Sequence, residues 1–232
     1  MSDTTYSRRR GELETYFDRT AVQAWMRLTS DAPVGRIRAT VRAGRDAMRA
    51  HLLSLLPANL LGARILDAGC GTGALALEAA ARGATVVATD LSPTLVGLAR
   101  ERAAGMPGAT RVAFHVGDML SADLGAFDHV VAMDSLIHYH AADAVRALAA
   151  FAPRTGRSIL FTFAPWNPAL AVMHAAGRLF PRADRAPAVE PVREATLRRR
   201  IGGEAALAGW QPGSGRRVST GFYISQAMEL RR

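Results

Sequence analysis

The residues with the clearest chemical potential lie in the stretch 65–74, ILDAGCGTGA. Read as G-x-G-x-x-A, with an acid 21 residues after the first glycine, the stretch is a dinucleotide-binding fingerprint. Read as D-x-G-x-G-x-G, it is the first loop of a site for S-adenosylmethionine. Glycines at these positions would let the backbone pass close to either ligand. The residues that the two patterns use are Asp67, Gly69, Gly71, Gly73, Ala74 and Asp90.

Asp67 favours the second pattern. It ends the first strand of the pattern, and we expect its side chain to point into the site. A dinucleotide would place its pyrophosphate at the start of the following helix, where a fixed carboxylate would repel it. S-adenosylmethionine has no phosphate, and it carries an ammonium and a sulfonium. An acid at this position therefore predicts a positively charged nucleoside cofactor.

Further side chains follow the next strands of the pattern. Asp90 and Leu91 come after the second strand, where a carboxylate can accept hydrogen bonds from both ribose hydroxyls. Asp118 and Met119 come after the third and offer a carboxylate and a soft apolar group to an adenine. Asp134 follows the fourth and borders the same cleft. Each acid could instead cap a helix or a turn, and the methionine could be core, but all of them at successive strand ends favour a cofactor site.

Alternating elements must position these residues. From residue 63, short β-type runs such as RILDAG, TVVATD, RVAFHVGD, FDHVVAMD and RSILFTFAP alternate with helical runs, which predicts an α/β fold with a parallel sheet covered on both faces. Ser92 is the expected N-cap of one helix, with Pro93 at its first position. Residues 1–60, with helical patterns over 12–29 and 41–57, form a predicted arm or lid. Residues 61–232 form the cofactor-binding domain, with a helical insertion at about 165–190.

The length of 232 residues fits one large domain, and the low cysteine content fits a reducing compartment. The chain has one cysteine and a net charge of +9, and its 29 basic residues are all arginine. Genome composition accounts for this bias, and an affinity for anionic partners is the functional alternative. The most apolar window, 158–177, is broken by two prolines and is a poor transmembrane candidate. We therefore expect a cytoplasmic protein.

With ILDAGCGTG, VVATD, GDM and FDHVVAMDSLIHY in place, the sequence resembles the class I S-adenosylmethionine-dependent methyltransferases over about residues 63–164. The resemblance implies a Rossmann-like, seven-stranded, mostly parallel sheet whose last strand is antiparallel. The final runs GRRVSTG and FYISQAMEL suit its closing hairpin.

The flanks resemble a narrower family, the magnesium-protoporphyrin IX O-methyltransferases. The similarity lies in YFDRTAVQAWMRL, VGRIRATVRAGR, DSLIHYH, FTFAPWNPAL, RLFPRADRAP and GFYISQAMEL. It implies methylation of one propionate of magnesium-protoporphyrin on the path to chlorophyll or bacteriochlorophyll. It also implies contact with the porphyrin-carrying subunit of magnesium chelatase and peripheral association with the photosynthetic membrane. The sequence departs from the family pattern at Thr29, where a tyrosine is usual, and at Ala43–Arg45, which replaces a Gly-His pair.

The reaction needs alignment and water exclusion more than a strong base, because a propionate is already ionised at neutral pH. His138 is the expected catalytic residue, holding the carboxylate oxygen, although it could simply be a buried polar residue. Tyr139 could share that role or stack on the porphyrin. His138 and His140 are only two positions apart, so we expect no protein-bound metal, and the magnesium belongs to the substrate.

The insertion supplies the expected substrate contacts. Its apolar and cationic side chains suit a flat macrocycle with two propionates, although a stripe of this kind is also typical of core. The expected substrate-binding residues are His174, Arg178 and Phe180.

Two alternatives remain open from the residues alone, whereas the intact glycine loop and the strand-end acids argue against a third, a non-catalytic adaptor that keeps the fold. One is a methyltransferase acting on another small apolar acid or a phenol. The other is an RNA-binding or RNA-modifying protein, suggested by the basic charge and by the arginine runs at 8–10 and 198–200. The absence of a Pro-Pro-aromatic loop after the fourth strand argues against the second, so no nucleic-acid partner is expected.

Overall fold

The computed structural model describes residues 4–20, 35–166, 189–213 and 215–232. Its strands are β1 (Arg64–Ala68), β2 (Thr85–Asp90), β3 (Val112–Val116), β4 (Phe127–Ala132), β5 (Thr155–Phe163), β6 (Gln211–Pro212), β7 (Arg217–Thr220) and β8 (Tyr223–Arg231). Its α-helices are α1 (Thr4–Thr15), α2 (Arg36–Ser54), α3 (Ala74–Ala81), α4 (Pro93–Ala103), α5 (Ala141–Phe151) and α6 (Glu194–Gly202). A π-helix over Tyr16–Thr20 directly follows α1.

The strands form one mixed sheet in the order β3-β2-β1-β4-β5-β8, with both β6 and β7 pairing on the far side of β8. Strands β1 to β5 are mutually parallel, and β8 runs antiparallel to β5, as the sequence predicts. The described part of the sheet has eight strands where the sequence predicts seven, because its outer edge position is shared by two short strands. Pro212 has no N–H to continue the ladder, so the edge breaks there.

Side chains of the central strands alternate between two apolar cores, one on each face of the sheet. Leu66 and Val130 belong to the core that packs against α1, α5 and α6. Ile65 and Val131 belong to the core that packs against α2 and α3. Successive residues of a strand point to opposite faces, so a sheet covered on both sides reads as a continuous apolar run.

Ser92 confirms the helix start that the sequence predicts: its hydroxyl accepts a hydrogen bond from the Leu95 N–H at 3.2 Å, and Pro93 opens α4. The first helix begins earlier than its apolar pattern indicates, at Thr4 instead of residue 12. Tyr6 and Leu13 are buried on one face of α1, seven residues apart, and the polar residues between them hide this stripe from a hydrophobicity pattern.

Among the described residues, we find no helix with the length and hydrophobicity needed to cross a membrane.

Candidate functional site

The glycine loop lies where β1 ends, between β2 and β4. The chain passes from β1 to β2 and β3 on one side and then returns to β4 on the other side of β1. The carboxyl end of β1 is therefore the crevice in which open α/β sheets bind ligands. The loop is held to β2 because the N–H groups of Gly69 and Cys70 both donate to the Thr89 carbonyl at 2.9 Å. Gly69 has a φ of 86°, and a Cβ there would lie 2.5 Å from Cβ of Ser135. Only glycine lets the loop approach β4 this closely.

A cleft opens beside this loop, with about 700 Å³ of empty space when its open mouth is included. Of the nine residues that the sequence assigns to the cofactor, seven line it: Gly69, Gly71, Asp90, Leu91, Asp118, Met119 and Asp134. Asp67 and Gly73 do not. Gly73 lies behind the loop at the start of α3, where a Cβ would come within 2.9 Å of the Phe114 ring.

Asp67 is only 2% exposed and is not among the residues that line the cleft, so its assignment to the cofactor stays a prediction. Its carboxyl accepts a backbone N–H from Ala76 in α3, while its Oδ2 atom has no hydrogen-bond partner among the described residues. Burial and, to a smaller extent, the nearby Asp90 together raise the pKa of Asp67 to about 7.

Asp90 lines the cleft and also closes the glycine loop. Its Oδ2 accepts the Gly71 N–H at 2.8 Å and its Oδ1 accepts the Ser92 N–H at 3.0 Å. Burial raises its pKa, and these N–H groups oppose that rise. A carboxylate has about four acceptor positions, so Asp90 keeps capacity to accept a hydroxyl of a ligand. The arrangement fits a ribose diol.

The N-terminal arm reaches Asp118, a contact that the sequence does not predict. The Tyr6 hydroxyl donates to its Oδ1 at 2.8 Å, and Arg10 forms an ion pair with its Oδ2 at 2.8 Å. Tyr6 also stacks on Tyr139 with ring centroids 4.9 Å apart. Burial and the neighbouring Tyr139 and Asp118 raise the pKa of Tyr6. One wall of the cleft is therefore built from α1 together with the segments that follow β3 and β4.

His138 and Tyr139 lie together in the cleft wall after β4. His138 ends a short 3₁₀ turn, Leu136–His138, and is 9 % exposed. Phe17 of the π-helix contacts its ring edge-on, with centroids 5.7 Å apart, and Arg9 donates to its backbone carbonyl at 2.8 Å. Burial raises the pKa of Tyr139 to about 12. Both predicted catalytic residues thus face the same cleft as the strand-end acids.

Asp134 lines the cleft with a φ of 53°, in the left-handed region. Its carboxylate pairs with Arg45 of α2 at 2.8 Å. The sequence gives no sign of this backbone conformation, and nothing local links the two residues, which are 89 positions apart.

The expected substrate residues His174, Arg178 and Phe180 lie outside the described residues. The two ends of that segment are held together by a parallel bridge between Pro165 and Val192. The Glu190 N–H donates to the Ile137 carbonyl at 2.8 Å, which places the base of the segment beside His138. In the described ranges, no group of three or more His, Cys, Asp or Glu side chains could hold a metal ion.

The second half of the chain, residues 132–232, matches the family model described as the magnesium-protoporphyrin IX methyltransferase C-terminus, and residues 65–155 match a general methyltransferase domain. The chain is 47% identical to a magnesium-protoporphyrin O-methyltransferase of Rhodobacter capsulatus, covering 97% of this chain and 98% of that one. It is 30% identical to one from Synechocystis, covering 92% of each. A crystal structure of magnesium protoporphyrin IX methyltransferase from Synechocystis PCC 6803 with bound SAH superposes with a TM-score of 0.80 at 29% identity, over 96% of this chain and 99% of that one.

Proposed function

Since the chain belongs to the magnesium-protoporphyrin O-methyltransferases, we propose that it transfers a methyl group from S-adenosylmethionine to a propionate of magnesium-protoporphyrin IX. The product is the monomethyl ester, an intermediate in the biosynthesis of chlorophyll or bacteriochlorophyll. One observation carries the proposal: a single cleft is lined both by acids at successive strand ends and by His138 and Tyr139.

The donor half of the cleft suits this cofactor. The glycine loop gives close backbone approach, Asp90 offers acceptors for ribose hydroxyls, and Met119 is a buried apolar surface suited to an adenine. When bound, S-adenosylmethionine supplies a methyl carbon attached to a positively charged sulfur. The buried acid Asp67 beneath the loop suits a cation in this place and disfavours a pyrophosphate.

The acceptor half needs no strong base. A propionate has a pKa of about 4.3, so its oxygen is ionised at neutral pH and attacks the methyl carbon directly. The new O–C bond forms as the C–S bond breaks, and the electron pair of that bond goes to sulfur. We assign His138 to hold the propionate by an N–H hydrogen bond and α1 to exclude water, with Tyr6 and Leu13 in the cleft wall.

The arginine run at 8–10 supports this proposal over the RNA-binding alternative. Arg9 donates to the backbone of His138, and Arg10 pairs with Asp118, so both arginines are engaged by residues of the cleft wall. In the second run, Arg198 pairs with Glu194 at 2.8 Å within α6.

A variant of His138 tests the acceptor role. His138→Ala should lower turnover by about tenfold to hundredfold, the value of a hydrogen bond to a charged group, while the dissociation constant for S-adenosylhomocysteine stays within about twofold. Ester formation is followed by chromatography and binding by calorimetry. His140→Ala is the matched control, because His140 is 65% exposed and does not line the cleft. A parallel loss of turnover and donor affinity would remove His138 from the acceptor side.

We also propose that the basic surface binds anionic partners: the porphyrin-carrying subunit of magnesium chelatase and the headgroups of the photosynthetic membrane. The net charge of +9 supports this, as do Arg36 and Arg38, which flank Ile37, a residue that is 58% exposed. Co-sedimentation with anionic but not with neutral vesicles, reversed by salt, is the expected result for the membrane. For the protein partner, we expect a complex with the purified chelatase subunit that dissociates as the salt concentration rises. Binding to the vesicles or to the subunit that does not change with salt would contradict the corresponding proposal.

A further inference from the structure

Asp134 is the centre of a buried polar cluster at the edge of the cleft. Among the described residues it is the one non-glycine residue with a positive φ, and its side chain is only 5% exposed. Backbone strain of this kind costs about 1 kcal/mol or more and persists where the surroundings hold it in place. Donors to its carboxylate come from three different elements: Arg45 in α2, Thr162 in β5, and Tyr223 and Ser225 in β8.

These donors occupy the carboxylate of Asp134. Its Oδ1 accepts from the hydroxyls of Ser225 and Thr162 at 3.1 and 3.2 Å, and its Oδ2 accepts from Arg45 at 2.8 Å. The Tyr223 hydroxyl lies 3.1 and 3.0 Å from the two oxygens. A carboxylate has about four acceptor positions, so little capacity is left for an ammonium of a ligand. Asp134 is therefore better placed to hold Arg45 than to bind a cofactor directly.

Arg45 is the one arginine among the described residues that line the cleft. Its position depends on the residue before it. Gly44 is buried against Tyr223, and a Cβ at Gly44 would lie 2.8 Å from both Cβ and Cγ of that ring. The absence of a side chain lets α2 approach β8 closely enough for the Arg45 guanidinium to reach Asp134. At Ala43–Arg45, where the sequence departs from the family pattern, Arg45 thus makes a specific contact with Asp134.

A guanidinium fixed at the wall of this cleft is suited to a carboxylate. Arg presents five N–H donors in a planar fork, and pairing of Nη1 with Asp134 orients that fork. Both reactants of the proposed reaction carry carboxylates: the amino-acid end of the donor and the propionates of the acceptor. We propose that Arg45 binds a reactant carboxylate and that Asp134 is the positioning residue that aims it. This inference rests on the proposed methyl transfer for the identity of the ligands.

Binding measurements with paired ligands test the role of Arg45. S-adenosylhomocysteine is compared with its decarboxylated analogue, which keeps the ammonium, by calorimetry. Magnesium-protoporphyrin is compared with its dimethyl ester by the shift of its Soret band. Arg49→Gln is the matched control, because Arg49 lies one turn further along α2, pairs with Glu78, and does not line the cleft.

Arg45→Gln should weaken the carboxylate-bearing member of one pair by about tenfold to hundredfold and the other member by less than about twofold. Selective loss in the first pair assigns the donor carboxylate, and selective loss in the second assigns the propionate. Unchanged affinities, or equal losses within both pairs, would overturn the inference. Because these are binding measurements, they test the role of Arg45 separately from methyl transfer. The inference about Arg45 can be refuted while the wild-type protein still makes the ester, and it can be supported even if no ester is formed.

A double-mutant cycle tests the positioning role of Asp134. Asp134→Asn should weaken the same ligand in the wild-type background and cause no further loss in the Arg45→Gln background, because it acts through that arginine. An equal loss in both backgrounds would contradict the positioning role. If Asp134→Asn does not fold, Tyr223→Phe, which removes one hydroxyl donor from Asp134, is measured in the same two backgrounds with the same expectation.

Discussion

Asp67 is a buried acid whose charge state should control the stability of the ligand-free protein. Its pKa is raised from 3.8 to about 7, with burial as the main cause. Asp67→Asn keeps the size of the side chain and an oxygen that can accept the Ala76 N–H, but it cannot ionise. The substitution therefore isolates the cost of the buried charge.

The direction follows from proton linkage. The folded protein binds the Asp67 proton more tightly than the unfolded chain does, so this stabilisation is complete below about pH 3.8 and is lost as the pH rises through about 7. At 1.36 kcal/mol per pH unit, the shift corresponds to about 4 kcal/mol as an upper value. The free energy of unfolding of Asp67→Asn minus that of the wild type should therefore grow by up to about 4 kcal/mol between pH 4 and pH 8.

Urea denaturation at several pH values, without ligand, measures this difference. Glu101→Gln, on the exposed side of α4, controls for the loss of one negative charge. If the difference in the free energy of unfolding stays constant across the pH range, ionisation of the buried Asp67 does not destabilise the fold, and the reasoning is refuted. The same reasoning predicts that the wild type at pH 8 prefers the cationic S-adenosylmethionine over the neutral-sulfur S-adenosylhomocysteine more strongly than Asp67→Asn does.

Three further outcomes follow from individual contacts. Gly69→Ala should lower the free energy of unfolding, measured by urea denaturation, by about 2 kcal/mol or more. The backbone of Gly69 has a φ of 86°, and an added Cβ would lie 2.5 Å from Cβ of Ser135. Adding Ser135→Gly should therefore recover part of the lost stability. Tyr6→Phe removes the hydroxyl bonded to Asp118, so limited proteolysis should cut the N-terminal arm faster, by about fivefold for a bond of about 1 kcal/mol. Burial lowers the pKa of His129, so the stability that its neutral form contributes above about pH 6.5 is lost as the pH falls. His129→Asn should therefore reduce the loss of unfolding free energy at acidic pH. An unchanged pH dependence below about pH 6.5 would contradict this role.

The strand-end acids could be predicted from the sequence because parallel strands bring their carboxyl ends to one edge. The alternation of β-type and helical runs therefore placed Asp90, Asp118 and Asp134 at one cleft without further information. The direction of Asp67 could not be obtained in this way. Whether a side chain at a strand end faces the cleft or the layer below depends on the loop that follows, and here the loop folds over it.

Contacts between distant parts of the chain account for the rest of what the sequence missed. Tyr6 and Arg10 reach Asp118 across more than a hundred residues, and a run of charges with one tyrosine gives no periodic signal for such a contact. The close packing of Gly44 on Tyr223 likewise depends on the relative placement of α2 and β8. Both features belong to tertiary packing, which local patterns do not encode.

Methyl transfer to the intact porphyrin tests the proposed function most directly. The purified protein is incubated with magnesium-protoporphyrin and S-adenosylmethionine that carries a deuterated methyl group, and the porphyrin is examined by mass spectrometry. We expect one labelled methyl on a propionate and none on a porphyrin whose propionates are both already esterified. Label on the porphyrin that was supplied as the dimethyl ester, or a diacid that stays unlabelled although both ligands are bound, would contradict a carboxylate acceptor in this cleft.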